Sequence, residues 1–169
     1  QRALQVTARQ FAQQHLSGLR DSFGVSDSPE QRFVATKDAY AAAVREGYLA
    51  LQIPTPLGGE MSSRLDVALV AEELLAVESS LPLSVLSSGL GIMGLLFFGS
   101  PEQHARFLPP FTRREGAPLA ALSFSEPHGS ANYRSTAEGT GTRTTAVRDG
   151  DVWVLNGVKK WTPHARGWD

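Results

Sequence analysis

Cysteine is absent from this chain, and its absence excludes disulfides, thiolate metal sites and a thiol nucleophile. Net charge is nearly absent too. Sixteen basic residues stand against 17 acidic ones, leaving −1 at neutral pH, and neither sign gathers into a run. A basic footprint for nucleic acid or an anionic membrane is therefore not encoded. Arg113–Arg114 and Lys159–Lys160 are too short to act as binding tracts. No secretory signal pattern is visible, and a cytoplasmic location, or an organelle matrix, is the expectation. The histidines His15, His104, His128 and His164 have no paired spacing that suggests a metal. The Ser, His and Asp residues form no nucleophile elbow or triad motif.

What the chain has is enough length for a core. A chain of 169 residues buries roughly two thirds of its unfolded surface. Its first two thirds read as helices. Arg2–Arg20 is polar with Leu4, Phe11, Leu16 and Leu19 as apolar contacts. Ser28–Pro29 with Gln31 opens a second helix that Gly47 closes. Ile53–Gly59 is a loop set by Pro54, Pro56 and the Gly58–Gly59 pair. Ser63 with Asp66 starts a third helix to about Ser79, and Ser100–Pro101 with Gln103 starts a short one to about Arg113. Between Ser79 and Ser100 no residue is charged, which is long enough to span a bilayer. Pro82 and four glycines interrupt it and charged amphipathic helices flank it, so it reads as a buried helix. Leu65, Leu69, Leu74, Leu86, Leu95 and Phe97 are the expected core positions.

After Pro118 the period changes. Leu119–Phe124, Thr142–Arg148, Val152–Leu155 and Val158–Trp161 read as antiparallel strands, with tight turns at Asp149–Gly150 and Asn156–Gly157. The expected architecture is α+β: an α-helical bundle over residues 1–118, then the start of an antiparallel, β-barrel-like domain over 119–169. A sheet stopping at Asp169 would leave an uncovered edge, so the chain reads as the front portion of a longer protein.

Gly89–Gly94 formally matches G-x-G-x-x-G, but no strand precedes it and no helix of adequate length follows. Close helix packing is the better explanation. Glu72–Glu73 are adjacent on a helix and point in different directions, as solvated or helix-paired carboxylates do.

Two segments carry the chemistry. S-F-S-E-P-H-G-S-A-N-Y (Ser123–Tyr133) places a proline-stiffened turn and small residues directly after an apolar run, which lets backbone N–H groups approach a ligand. N-G-V-K-K-W-T-P-H-A-R-G-W-D (Asn156–Asp169) carries Trp161, a strand aromatic that packs and can also serve as a stacking platform. Together with I-P-T-P-L-G-G (Ile53–Gly59), Glu72–Glu73 and G-S-P-E-Q (Gly99–Gln103), they resemble the acyl-CoA dehydrogenase flavoprotein superfamily. The short Ser-Glu-Pro loop, Asn132 where an acid is usual, and the G-W-D ending are similar to its nitroalkane-oxidase-like branch.

The resemblance implies FAD as cofactor and oxidation of an acyl-CoA-type substrate. The expected chemistry is proton abstraction with hydride transfer to the flavin, or in the nitroalkane-oxidase-like alternative, attack by a carbanion. It implies that Phe124 and Ser125 meet the pyrimidine end of the flavin ring, with Ser130 near the pyrophosphate or substrate. Ala131 and Asn132 are their neighbours, and Trp161, Thr162 and Pro163 lie along the ring. A hydroxyl two positions after the Trp usually meets N5; Pro163 stands there, and Thr162 is the substitute. The catalytic base belongs to a C-terminal helical bundle beyond Asp169, so no catalytic residue is assigned. A homo-oligomer, dimer or tetramer, is implied. A reading from another class is a non-catalytic homologue serving assembly.

Overall fold

The computed structural model describes residues 1–168; among them the chain forms seven α-helices followed by a two-stranded antiparallel sheet. Helix α1 (Arg2–His15) buries Ala8, Phe11 and Ala12, which the i, i+3, i+4 spacing puts on one face. α2 (Pro29–Ala35) opens on a capping box: the Ser28 hydroxyl accepts from the Gln31 N–H at 3.2 Å, and the Gln31 side chain accepts from the Ser28 N–H at 2.7 Å. The single helix expected up to Gly47 is two. Thr36 is buried and its hydroxyl donates to the Phe33 carbonyl at 2.7 Å, a back-bond that bends helices. The chain then resumes as α3 (Lys37–Arg45).

A second capping box, Ser63 with Asp66, opens α4 (Arg64–Leu75), which packs along α1. There the Arg9 guanidinium donates two bonds, at 2.7 and 2.6 Å, to the Glu73 carboxylate. α4 stops at Leu75 rather than near Ser79, because the buried Glu78 carboxylate caps the next helix by accepting from the Leu81 N–H at 2.9 Å. α5 (Ser80–Phe98) buries Leu81, Val85, Ser88, Gly89 and Ile92. By length and composition, with a mean hydropathy of 1.9, it could cross a membrane. Here it packs against α3, α4 and α6 (Pro101–Phe107). The expected run to Arg113 breaks at Leu108, because Pro109 and Pro110 restart it as α7 (Pro109–Thr112).

The core gathers α1, α3, α4 and the first half of α5 around Tyr40, Leu49, Leu81 and Val85. Of the six expected core positions, Leu74 is buried, Leu69, Leu86 and Leu95 are half-buried, and Leu65 and Phe97 are exposed. The reason is that α4 and α5 are apolar on more than one face, so spacing alone does not select the face that is covered.

The sheet is one hairpin. β1 (Thr145–Asp149) pairs with β2 (Val152–Asn156), with Asp149 opposite Val152 and Thr145 opposite Asn156. The turn residues are Gly150 and Asp151, one position later than expected. Gly150 takes φ +58°, which glycine adopts without a Cβ clash. Leu119–Phe124 and Val158–Trp161 are not strands: among the described residues a single backbone bond, Lys160 N–H to Ser125 O at 2.9 Å, joins the two stretches, and no ladder forms. Trp161 leaves the extended region altogether, with φ +58°. Nor does Asn156–Gly157 fold a second hairpin; the chain departs from β2 and returns toward Ser125 instead.

Candidate functional site

The two motif segments meet on a seam beside α3 and α5. Residues 117–121 cross α5 at Gly91, where a Cβ would stand 2.6–2.8 Å from Ala120 and Ala121 atoms. Close backbone approach, not a dinucleotide loop, is what this glycine serves. Tyr40 pins the crossing: its buried hydroxyl donates to the Pro118 carbonyl at 2.8 Å and bonds the Ser88 hydroxyl, also at 2.8 Å. Burial pushes that hydroxyl up to about 12.

The returning segment docks on the same seam. His164 Nδ1 donates to the Ala120 carbonyl at 3.0 Å, and Trp168 Nε1 donates to Ala117 O at 2.8 Å. Trp168 also stacks on Phe33 at 4.5 Å with planes 5° apart, and meets Tyr40 edge-on at 5.2 Å. Farther along, the Thr162 hydroxyl donates to Ser123 Oγ at 3.4 Å. The chain thus runs antiparallel to 117–126, held by side chains more than by backbone.

The Ser125–Tyr133 loop is closed by its own groups. Glu126 N–H donates to Gly129 O at 2.6 Å, and Gly129 is buried against the Gly141 carbonyl. A side chain at Gly129 would collide with that carbonyl. Asn132 works inside the loop: its Oδ1 accepts from the Ser130 N–H at 3.0 Å and its Nδ2 donates to His128 O at 3.2 Å. Beneath lies the buried Glu126 carboxylate. It accepts from the Lys159 ammonium at 2.8 Å, from the Arg143 N–H at 2.6 Å and from the Thr144 N–H at 3.1 Å. The Lys159 ammonium first, then the Thr144 and Arg143 donors, hold this carboxyl down at about 2.

The residues singled out from the sequence fall into two groups. Phe124, Ser125, Ser130, Trp161 and Thr162 are brought to one region, on an open surface: Phe124 is 44% and Trp161 73% exposed. The hydroxyls of Ser125 and Ser130 lie 2.9 Å apart, and Lys160 Nζ sits 3.9 Å above the Trp161 ring. Phe124 packs edge-on against Tyr133 at 5.4 Å. Ala131 is exposed, while Asn132 is committed to the loop and Pro163 turns away toward α2. Asp169, the end of the G-W-D motif, lies outside the described residues. Glu126, Lys159 and Tyr40 were not singled out. Glu126 and Lys159 do lie inside the motifs, but nothing in their spacing pairs them.

A groove of about 890 Å³ adjoins this surface. Phe33, Val34 and Leu83 supply part of its apolar wall, while its polar groups include Glu30, Gln31, Ser84, Thr162, His164 and Arg166.

Residues 1–115 match the family described as acyl-CoA dehydrogenase, N-terminal domain. The chain belongs to the acyl-CoA dehydrogenase family. Nitroalkane oxidase of Fusarium oxysporum is 38% identical over 162 residues, 96% of this chain and 37% of that protein. Nitroalkane oxidase of Podospora anserina is 44% identical over 138 residues, 82% of this chain and 32% of that protein. A solved nitroalkane oxidase, a flavoprotein crystallised with 1-nitrooctane, superimposes on 99% of this chain and 39% of its own with a TM-score of 0.91 at 37% identity. The chain therefore spans less than two fifths of the relatives it matches, and shares with them an acyl-CoA dehydrogenase-type fold.

Proposed function

We propose that the full-length protein is an FAD-dependent oxidoreductase acting on small nitroalkanes. The observation that carries this reading is likeness to nitroalkane oxidases across nearly the whole chain, through both motif segments. The short Ser-Glu-Pro loop with Asn132 in place of an acid supports it independently of overall identity.

The residues present fit a flavin. Two exposed aromatics, Phe124 and Trp161, flank hydroxyls from Ser125, Ser130 and Thr162. Among the described residues, the backbone N–H groups of Phe124 and Ser125 have no protein acceptor. A planar ring with carbonyl oxygens at one end needs such an apolar wall and a few placed donors. When bound, FAD supplies the two-electron acceptor.

This chain's share is binding and orientation. Phe124 and Trp161 would cover the ring, and Ser125 with its N–H would bond the pyrimidine oxygens. Ser130 would donate toward phosphate or substrate, with small Ala131 leaving access. Asn132 would hold the Ser130 N–H in place. Pro163 has no N–H, so Thr162 is the donor available on that side. The adjoining groove, mostly apolar with several hydroxyls, suits a small molecule with one polar end.

The second reading, oxidation of an acyl-CoA, is favoured by the family match itself. Mixing the FAD-loaded full-length protein with 1-nitrooctane or octanoyl-CoA, without oxygen, separates the two. Bleaching of the visible flavin band by the nitroalkane alone is expected; bleaching by the acyl-CoA alone would reverse the assignment. A homo-oligomer, dimer or tetramer, belongs to the same reading and is checked by light scattering.

A further inference from the structure

We propose that Lys159 is a positioning residue for the flavin surface, locking the Ser123–Glu126 segment against the Lys159–Thr162 segment in one register. The inference rests on the flavin reading above, because the surface it shapes is the one assigned to that cofactor.

The argument starts from how little else joins the two segments. One backbone bond, Lys160 N–H to Ser125 O, and one long side-chain bond, the Thr162 hydroxyl to Ser123 Oγ at 3.4 Å, span them among the described residues. Two such contacts hold a register weakly, and a slip by one residue exchanges the face each side chain occupies. The Lys159 ammonium supplies the missing constraints. It donates to the Phe124 carbonyl at 3.0 Å and to the Glu126 carboxylate at 2.8 Å, the two residues that flank Ser125 on the facing segment. Glu126 is anchored in turn by the Arg143 and Thr144 N–H groups, which lead directly into β1. Three stretches distant in sequence therefore converge on one carboxylate.

Both partners are withdrawn from solvent: the side chain of Lys159 is 26% exposed and that of Glu126 4%. The ammonium's bonds are made internally, so its charge is spent on the protein and not offered to a phosphate. The carbonyl of Phe124 is likewise occupied by Lys159, while the Phe124 and Ser125 N–H groups keep no protein acceptor. Lys159 thereby leaves the donors of this segment to a ligand and takes its acceptor away.

The test uses the full-length protein stripped of FAD, titrated with FAD and read by affinity and by the visible circular dichroism of bound flavin. Lys159→Met is expected to weaken FAD about tenfold or more, since bonds to a charged group are lost, and to alter the visible dichroism. Lys159→Arg should restore most of both. Wild-type affinity and dichroism in Lys159→Met overturn the proposal, as does an arginine variant no better than the methionine one. Should Lys159→Met fail to fold, Glu126→Gln is the second variant. It keeps the shape and an acceptor oxygen, and wild-type FAD affinity there also overturns the proposal. The Ser130→Ala/Trp161→Ala double variant separates the two levels. Retained FAD in that variant removes the flavin reading; lost FAD there beside unchanged Lys159→Met removes only the role of Lys159.

Discussion

The helical part and the β1–β2 hairpin solve the same problem to different extents. Around Tyr40, Leu49 and Leu81 the helices close a dry interior from their own residues. In the hairpin every residue of both strands is exposed, including Trp153 at 64% and Leu155 at 70%. An isolated two-stranded ribbon is marginal in water, and a run of exposed apolar side chains on it marks a surface that another element covers. One region is an inside already; the other is half of one.

Substitutions sharpen this contrast. Leu49→Ala removes a fully buried side chain from the helical core and is expected to cost about 2–5 kcal/mol, read as a lowered denaturant midpoint. A loss below about 1 kcal/mol would mean that the core is looser than its burial implies. Next comes Gly91→Val, where the added side chain meets the Ala120–Ala121 backbone. It should lower the thermal midpoint and loosen the 117–121 crossing, visible as faster amide exchange there. Ser63→Ala removes an N-cap and should cost about 1 kcal/mol. Smallest of all, Leu155→Ser in this chain should stay within about 0.5 kcal/mol. The same change in the full-length protein should cost more, and equal effects in both would show that nothing covers the hairpin.

Acid offers a different probe of the seam. Glu126 is depressed to about 2 in the folded chain, against an ordinary glutamate near 4.3. Its stabilising contribution is complete above the ordinary value and is lost as pH falls from there through about 2. Glu126→Gln should therefore flatten the fall of the thermal midpoint over that window. An unchanged slope would assign the acid sensitivity to other carboxylates.

What was legible in the sequence was local. The capping boxes at Ser28, Ser63 and Ser100 each need four consecutive residues, and all three form. The hairpin around Gly150 was legible for the same reason, and its turn lies one position later. Pairing across long separations was not. Leu119–Phe124 has strand composition, yet its partner is a segment that turns left-handed at Trp161, so no ladder grows. Glu126 and Lys159 are 33 residues apart, and no periodicity links a carboxylate to an ammonium at that distance. The uniform apolarity of α5 announced a packed helix while concealing which face would be covered. The motif segments could be recognised as a pair from their wording; that they converge follows from side-chain bonds that wording does not encode.

The stack of Trp168 on Phe33 has a practical consequence for optical work. Of the three tryptophans, Trp153 and Trp161 stand 64% and 73% exposed, while Trp168 is half-buried at the junction of the helices and the returning segment. The two exposed indoles should emit at long wavelength and be accessible to iodide, whereas the third should emit to the blue and be shielded. The shielded fraction of the emission is thus a native gauge of whether the seam is closed, with no label added.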